Sequence, residues 1–181
     1  MHHNKILNTI AKENIHLISE KLDKDILGSY ISIDGIHIII INKHIKNDKK
    51  LYFTVLSEEI AHYYLSKGDH APYQHNTYLE NLNYEKNETI ALRWAVDFLV
   101  PTSELLILIS NEGINNIHDL SEHFEVTTDF IMKKIYYMSL LKNQYQLSNN
   151  RYFVVSNFPN TFIYQDFNER SFEHGHSTKA R

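Results

Sequence analysis

The chain has 181 residues, and its 43% apolar content is enough for a packed core and argues against a disordered protein. The formal net charge is −4 and no long basic run is present, so the composition does not favour general affinity for nucleic acid. Cysteine is absent, which excludes a disulfide framework and a thiolate zinc site and favours a reducing, cytoplasmic location.

Neither the N-terminal residues nor the longest apolar run predicts membrane association. Residues 1–14 contain no apolar core of a secretory signal. The longest apolar run, Ile36 to Asn42, is far shorter than the ~20 residues that a spanning helix needs. We therefore expect one domain, or one domain with a small appendage, and no membrane segment.

The N-terminal third predicts a helix followed by a hairpin. Apolar residues recur at helical spacing between Asn4 and Leu22, which indicates an amphipathic packing helix there. Ser29 to Ile33 alternates with period two, and the β-branched run Ile36 to Ile41 follows the pair Asp34-Gly35. An Asp-Gly pair between β-branched runs is a strong hairpin signal. The second strand is apolar almost throughout, so we expect it to be buried on both faces.

A helix predicted over Lys49 to Ser66 carries the first group of chemically active residues. Side chains four apart share a helix face, so Glu58 and His62 point the same way, with Glu59 one step round. In the zinc-protease signature His-Glu-x-x-His the two histidines bind zinc and the glutamate is the general base. Glu58 takes the first ligand position here, and a carboxylate oxygen is also a zinc ligand. Taken alone, the pattern also suits a solvated polar face.

A long polar link from Lys67 to Tyr84 precedes a second helical pattern. Links of this length in compact domains often form functional rims. The link contains His70 and Tyr73, and the sequence leaves open whether they border a site or lie at the surface. The next pattern runs to Leu99 and Pro101 and places Glu88 on one face with two alanines, at positions 91 and 95. Small residues there would let another helix approach closely.

The C-terminal third predicts three further elements. A helix over Thr102 to Asn111 begins after Pro101. Residues 116–135 resemble a helix-turn-helix whose second helix begins Thr127-Thr128-Asp129 and lacks the basic and amide groups of a DNA reader, so DNA binding is disfavoured. We expect that helix to continue and fray towards Leu147, with a hairpin of residues 151–155 and 161–164 and a mobile tail from residue 168.

The two spaced motifs together resemble the ImmA/IrrE family of metallo-endopeptidases. The family pattern pairs a His-Glu-x-x-His helix with a helix reading Glu-x-x-Ala-x-x-(aromatic)-Ala that ends in Leu-(apolar)-Pro. The second helix matches at Glu88, Ala91, Trp94, Ala95, Leu99 and Pro101. The Glu-Glu-x-x-His variant is similar to a subgroup often encoded in prophages beside a repressor gene.

The resemblance implies a fold, a mechanism and a partner. Together with the residue patterns at both ends of the chain, it predicts an α+β fold: a mainly helical metallopeptidase-like domain with a small antiparallel sheet (residues 1–110), a helix-turn-helix-like helical segment (111–147), and a C-terminal hairpin with a mobile tail (148–181). Zn²⁺, or another divalent ion such as Mn²⁺, would be held by Glu58, His62 and Glu88, with Glu59 as the catalytic base. Candidate oxyanion or rim residues are Tyr63, Tyr64, Tyr73 and His70.

The expected activity is metal-dependent cleavage or inactivation of a transcriptional repressor from a mobile element or prophage. Two ligand carboxylates cancel the charge of a divalent ion, so we expect a slower peptidase or one selective for another divalent metal, such as Mn²⁺ or Mg²⁺. The alternative is a catalytically weak or inactive peptidase fold that regulates a protein partner by binding it, as an anti-repressor does.

Overall fold

The computed structural model describes residues 2–65, 78–111 and 116–166. Within these ranges the chain forms six α-helices and six strands, which confirms the α+β class. In chain order the elements are α1 (His2–Lys12), β1 (His16–Glu20), β2 (Gly28–Ile33), β3 (Ile36–Asn42), a 3₁₀ turn (Lys43–Ile45), α2 (Lys49–Leu65), α3 (Tyr78–Leu99), α4 (Thr102–Asn111), α5 (Ile117–Phe124), α6 (Thr128–Leu141), β4 (Gln144–Ser148), β5 (Arg151–Val154) and β6 (Phe162–Gln165). No helix among the described residues is long and apolar enough to span a membrane.

The predicted hairpin forms the centre of the first sheet. β2 and β3 pair antiparallel, and the turn residues Asp34 and Gly35 both have positive φ angles, of 51° and 78°. This is the backbone conformation that a tight two-residue hairpin requires. Strand order is β1-β3-β2, with β1 parallel to β3, so the expected antiparallel sheet is mixed. On β3 only one face is well buried, by Ile39 and Ile41, whereas the opposite face is half exposed.

The N-terminal helix is shorter than the sequence pattern predicts. α1 ends at Lys12, and Asn14 adopts a left-handed conformation with φ of 54°. The amide N–H of Ile15 donates to the Ile10 carbonyl, which closes the helix end. Residues 16–20 then form β1, because their backbone pairs in parallel register with β3. Tertiary pairing therefore overrides the helical spacing beyond residue 12.

Helix α2 confirms the predicted motif helix and packs on the face of the first sheet. Leu56, Ile60 and Ala61 are completely buried, and each large apolar side chain removed from water contributes about 1.5–3 kcal/mol. They join β-strand residues Tyr30 and Ile39 in one apolar core. The hydrophobic contact therefore fixes which way the polar residues of α2 can face.

Helix α3 is longer than the motif predicted. It begins at Tyr78, so the end of the expected polar link is helical, and residues 66–77 lie outside the described chain. Ala91 and Ala95 are buried against α2, as the small-residue spacing predicted. Pro101 separates α3 from α4, which begins at Thr102 as expected.

Helices α5 and α6 form the predicted helix-turn-helix-like pair. Asn116 caps α5 by accepting the Asp119 amide, and Thr127 caps α6 by accepting the Phe130 amide. Glu125 joins them in a left-handed conformation with φ of 54°. The inner face of α6 is buried and packs against α3, and its buried residues are Phe130, Ile131, Lys134, Ile135 and Met138. The second helix of the pair is therefore part of the core.

The second sheet corrects the C-terminal prediction. α6 ends at Leu141, and residues expected to continue it form β4, because their side chains alternate between exposed and half-buried positions. β4 pairs with β5, and β5 pairs with β6 as the predicted hairpin, giving an antiparallel order β4-β5-β6. The tail predicted to be mobile lies outside the described residues. A single buried cluster extends from Ile6 to Val155, and the proposed division into three parts stays a prediction.

Candidate functional site

Helices α2 and α3 bring His62 and Glu88 together. Ala61, Ala91 and Ala95 are fully buried, so the two helices approach closely at the level of these polar side chains. His62 Nε2 lies 3.6 Å from Glu88 Oε1. Packing of the small alanine side chains therefore brings His62 and Glu88 together, although they lie far apart along the chain.

Glu58 lies in the same cleft, one helical turn before His62. The cleft has a volume of about 260 Å³, and its lining consists of Glu58, His62, Glu88, Thr89, Ala91, Leu92 and Lys133. A larger surface groove between α1 and α4 contains none of the predicted site residues. The structure thus gathers all three predicted metal ligands around one small cavity.

The environment of the cleft favours the protonated forms of Glu58 and His62. Burial and the neighbouring Glu88 raise the pKa of Glu58, while Lys133 and His62 oppose that rise. Burial lowers the pKa of His62, but its hydrogen bond to Glu88 and the three nearby carboxylates outweigh burial, so the pKa is raised. Glu58 and His62 therefore hold their protons more strongly than they would in water.

Glu59 points from α2 towards the edge strand β2. Glu59 is only 9% exposed, and its carboxylate accepts a hydrogen bond from the backbone N–H of Tyr30. Burial is the main cause that raises the pKa of Glu59 to about 7, with the Glu58 and Glu88 charges adding to it. A carboxylate with a pKa near neutrality can both accept and donate a proton, as a general base and acid must.

Gly28 makes room for Glu59 on the sheet. A Cβ atom at Gly28 would lie 2.8 Å from Glu59 Oε1 and 2.7 Å from Val55 Cγ1. Such separations are too short for side-chain carbon atoms, so only glycine lets strand β2 pass this close to α2. Sequence reasoning missed both Gly28 and Tyr30, because no local pattern connects them with residue 59.

The hydroxyls of Tyr63 and Tyr64 lie beside the end of α1. Both donate to the Glu13 carboxylate, at 3.0 and 3.2 Å. The Tyr63 hydrogen bond is the main cause that lowers the pKa of Glu13. An oxyanion or rim role for these tyrosines stays a prediction. Tyr73 and His70, the other two candidates, lie outside the described residues.

The donor atoms suit a divalent metal ion in kind, and one pair suits it in spacing. Two ligands held at about 2.0–2.2 Å in tetrahedral geometry lie roughly 3.4 Å apart, close to the observed 3.6 Å between His62 and Glu88. Glu58 adds a carboxylate to the same cleft. However, no group of three or more His, Asp or Glu side chains among the described residues is close enough to hold an ion as it stands. The three side chains thus have donor atoms of the right kind for a divalent ion, but only His62 and Glu88 have a suitable spacing.

A mainly helical α+β domain with two motif helices that meet at a His-Glu pair defines a metallopeptidase-like protein. A family model for the IrrE N-terminal-like domain of the M78 peptidases matches residues 10–136, which is more than half of the chain. The protein belongs to this family, which is also known as the ImmA/IrrE family. No curated protein matches the chain, and no solved structure does.

Proposed function

We propose that the protein is a metal-dependent endopeptidase whose metal ligands are Glu58, His62 and Glu88 and whose base is Glu59. The observation that carries this proposal is the His62–Glu88 contact of 3.6 Å inside a cleft shared with Glu58. Family membership supplies the reaction class. A shell with two carboxylates favours Mn²⁺ more than an imidazole-rich shell does, so we include Mn²⁺ beside Zn²⁺.

The chain's own residues divide the work of peptide hydrolysis. A bound divalent ion would activate a water molecule and polarise the scissile carbonyl. Glu59 would accept the proton of that water at its carboxylate and transfer it to the leaving amine nitrogen. The Tyr30 N–H would hold the carboxylate in position through this transfer. Glu58, His62 and Glu88 would hold the ion and would not exchange protons with the substrate.

The proposed substrate is a transcriptional repressor of a prophage or other mobile element, cleaved in the cytoplasm. The Glu58-Glu59-x-x-His62 variant supports this proposal, because it is similar to the prophage-type subgroup. DNA is not a proposed ligand, because the second helix of the pair begins Thr127-Thr128-Asp129 and lacks the basic and amide groups of a DNA reader.

The second candidate function is a regulator that binds a protein partner without cutting it. It is favoured by the same geometry, since Glu58, His62 and Glu88 do not form a ready three-ligand group. The carboxylate at position 58 also removes one positive charge relative to the histidine pattern of the family.

A substitution at Glu59 separates the two functions. Glu59→Gln keeps the size of the side chain but cannot accept a proton, and general-base catalysis contributes ~10²–10⁴-fold in rate. Wild type, Glu59→Gln and the exposed control Glu85→Gln are incubated with a purified phage-type repressor. Intact mass spectrometry reads cleavage, and co-purification reads binding.

We expect cleavage by wild type and Glu85→Gln, and binding without cleavage by Glu59→Gln. Cleavage that persists in Glu59→Gln would refute Glu59 as the base. Tight binding without cleavage by any of the three proteins would make the non-enzymatic regulator the better assignment.

A further inference from the structure

Lys133 of α6 forms part of the wall of the candidate metal cleft. It lines the cavity together with Glu58, His62 and Glu88, although it lies far from them along the chain. Among the described residues of this lining, it carries the one fixed positive charge.

The position of Lys133 is set by its neighbours on α6. Lys134 is 1% exposed and forms an ion pair with Asp97 of α3, and its Nζ also donates to Thr102 Oγ1 at 2.8 Å. Adjacent helix residues differ by about 100° in direction. With Lys134 and Phe130 held in the core, the exposed Lys133 is directed to the cleft side of the helix.

The total charge of the site explains why a cation is useful there. In a His-His-Glu shell, a divalent ion leaves one net positive charge on the site. Glu58 in place of the first histidine brings that total to zero, which weakens the polarisation of a bound carbonyl. One lysine at the cleft wall returns the total to one positive charge.

We propose that Lys133 is the charge-balancing residue of the cleft, replacing the positive charge that is lost because Glu58 stands at a histidine position. This inference rests on the proposed metallopeptidase function and deepens it. Lys133 acts through the ion and the Glu58 carboxylate by its charge, without being a ligand. Because like charges repel, it also makes the cleft bind a divalent ion less tightly than the carboxylates alone would.

Metal affinity is a direct test that does not depend on activity. Metal-free wild type, Lys133→Met, Lys133→Arg and the control Lys142→Met are titrated with Mn²⁺ by calorimetry at one pH and ionic strength. Lys142 is exposed at the end of the same helix, so its substitution makes the same change in net charge outside the cleft. Thermal melts confirm that each variant is folded, and Lys133→Gln replaces the Met variant if that protein aggregates.

We expect Lys133→Met to bind Mn²⁺ about 5- to 10-fold more tightly than wild type, while the Arg and Lys142 variants stay within about twofold. We also expect Lys133→Met to cleave about tenfold more slowly, and Lys133→Met with Glu58→His to recover the rate, because that pair restores one net positive charge.

The outcomes separate this inference from the function on which it rests. Equal Mn²⁺ affinities of Lys133→Met and Lys142→Met, or weaker binding by Lys133→Met, would overturn the charge-balancing role. The expected affinity change without cleavage by any variant would leave that role standing and overturn the peptidase. A complete lack of Mn²⁺ binding by all variants would overturn both.

Discussion

Gly28→Ala tests whether the close approach of strand β2 positions Glu59. The new Cβ would lie 2.7 Å from Val55 Cγ1 and 2.8 Å from Glu59 Oε1, and 3.1 Å from Glu59 Cγ. Carbon atoms pack best at about 3.5–4.0 Å, so these atoms must move by several tenths of an ångström or more. Overpacking of a tight core costs about 1–3 kcal/mol of unfolding free energy.

The expected loss can be measured as a fall in melting temperature. For a domain of this size, about 1 kcal/mol corresponds to roughly 2–4 °C, so we expect Gly28→Ala to melt ~3–10 °C below wild type. The Glu59 carboxylate should also leave the Tyr30 N–H, so its titration, followed by NMR of ¹³C-labelled glutamate, should shift. Addition of Val55→Ala removes one of the two short contacts and should recover part of the stability.

Gly35→Ala is the matched control. Gly35 has φ of 78° and no atom within 4 Å of the place that an alanine Cβ would occupy, so alanine there strains only the backbone. We expect a loss of about 1–2 kcal/mol for a left-handed non-glycine residue, with no change in the Glu59 titration. A Gly28→Ala protein as stable as wild type, with unchanged Glu59 titration, would refute the steric argument.

Two further predictions concern buried charges. The pKa of Glu59 is raised from 4.5 to about 7 in the folded, metal-free protein, so stability from this group is present below pH 4.5 and lost as pH rises through 7. The unfolding free energy of Glu59→Gln, measured with urea, should therefore rise by about 3 kcal/mol relative to that of wild type between roughly pH 4.5 and pH 8. An equal difference between the two proteins at both pH values would contradict the burial of this charge. Asp97→Ala should destabilise the protein by ~1–3 kcal/mol, because it leaves the Lys134 ammonium buried without its partner carboxylate. The loss is limited because the Asp97 side chain is itself 57% exposed. Lys134→Met removes the buried charge and should be nearly neutral. Equal losses in the two variants would show that the ion pair itself stabilises the fold.

Several features were predictable because they depend on residues close together in the chain. The Asp34-Gly35 pair predicts the hairpin from turn geometry alone. The four-residue spacing of Glu58 and His62 predicts a shared helix face. The alanines that follow Glu88 predict close packing of α3 on α2, and the family pattern predicts that His62 and Glu88 meet.

Other features depended on partners that local spacing does not reveal. Residues 16–20 have helical periodicity, yet they form β1 because their backbone pairs with the side of β3 that β2 does not occupy. Tyr63 and Tyr64 follow the motif directly, but their hydroxyls reach Glu13 at the end of α1. Helical periodicity gives the direction of a side chain and leaves its partner undefined.

The sequence by itself determined the class of protein and the two motif helices, and it supplied the residues proposed to hold a metal ion. Only the tertiary structure decided that Glu59 lies against Gly28 and that Lys133 lines the cleft while Lys134 is buried. The physical reason is that helix and turn preferences act over a few residues, whereas burial and charge balance depend on which distant surfaces pack together. A lysine on α6 can balance a carboxylate on α2 only after α3 and the core have placed the two helices on either side of one cavity.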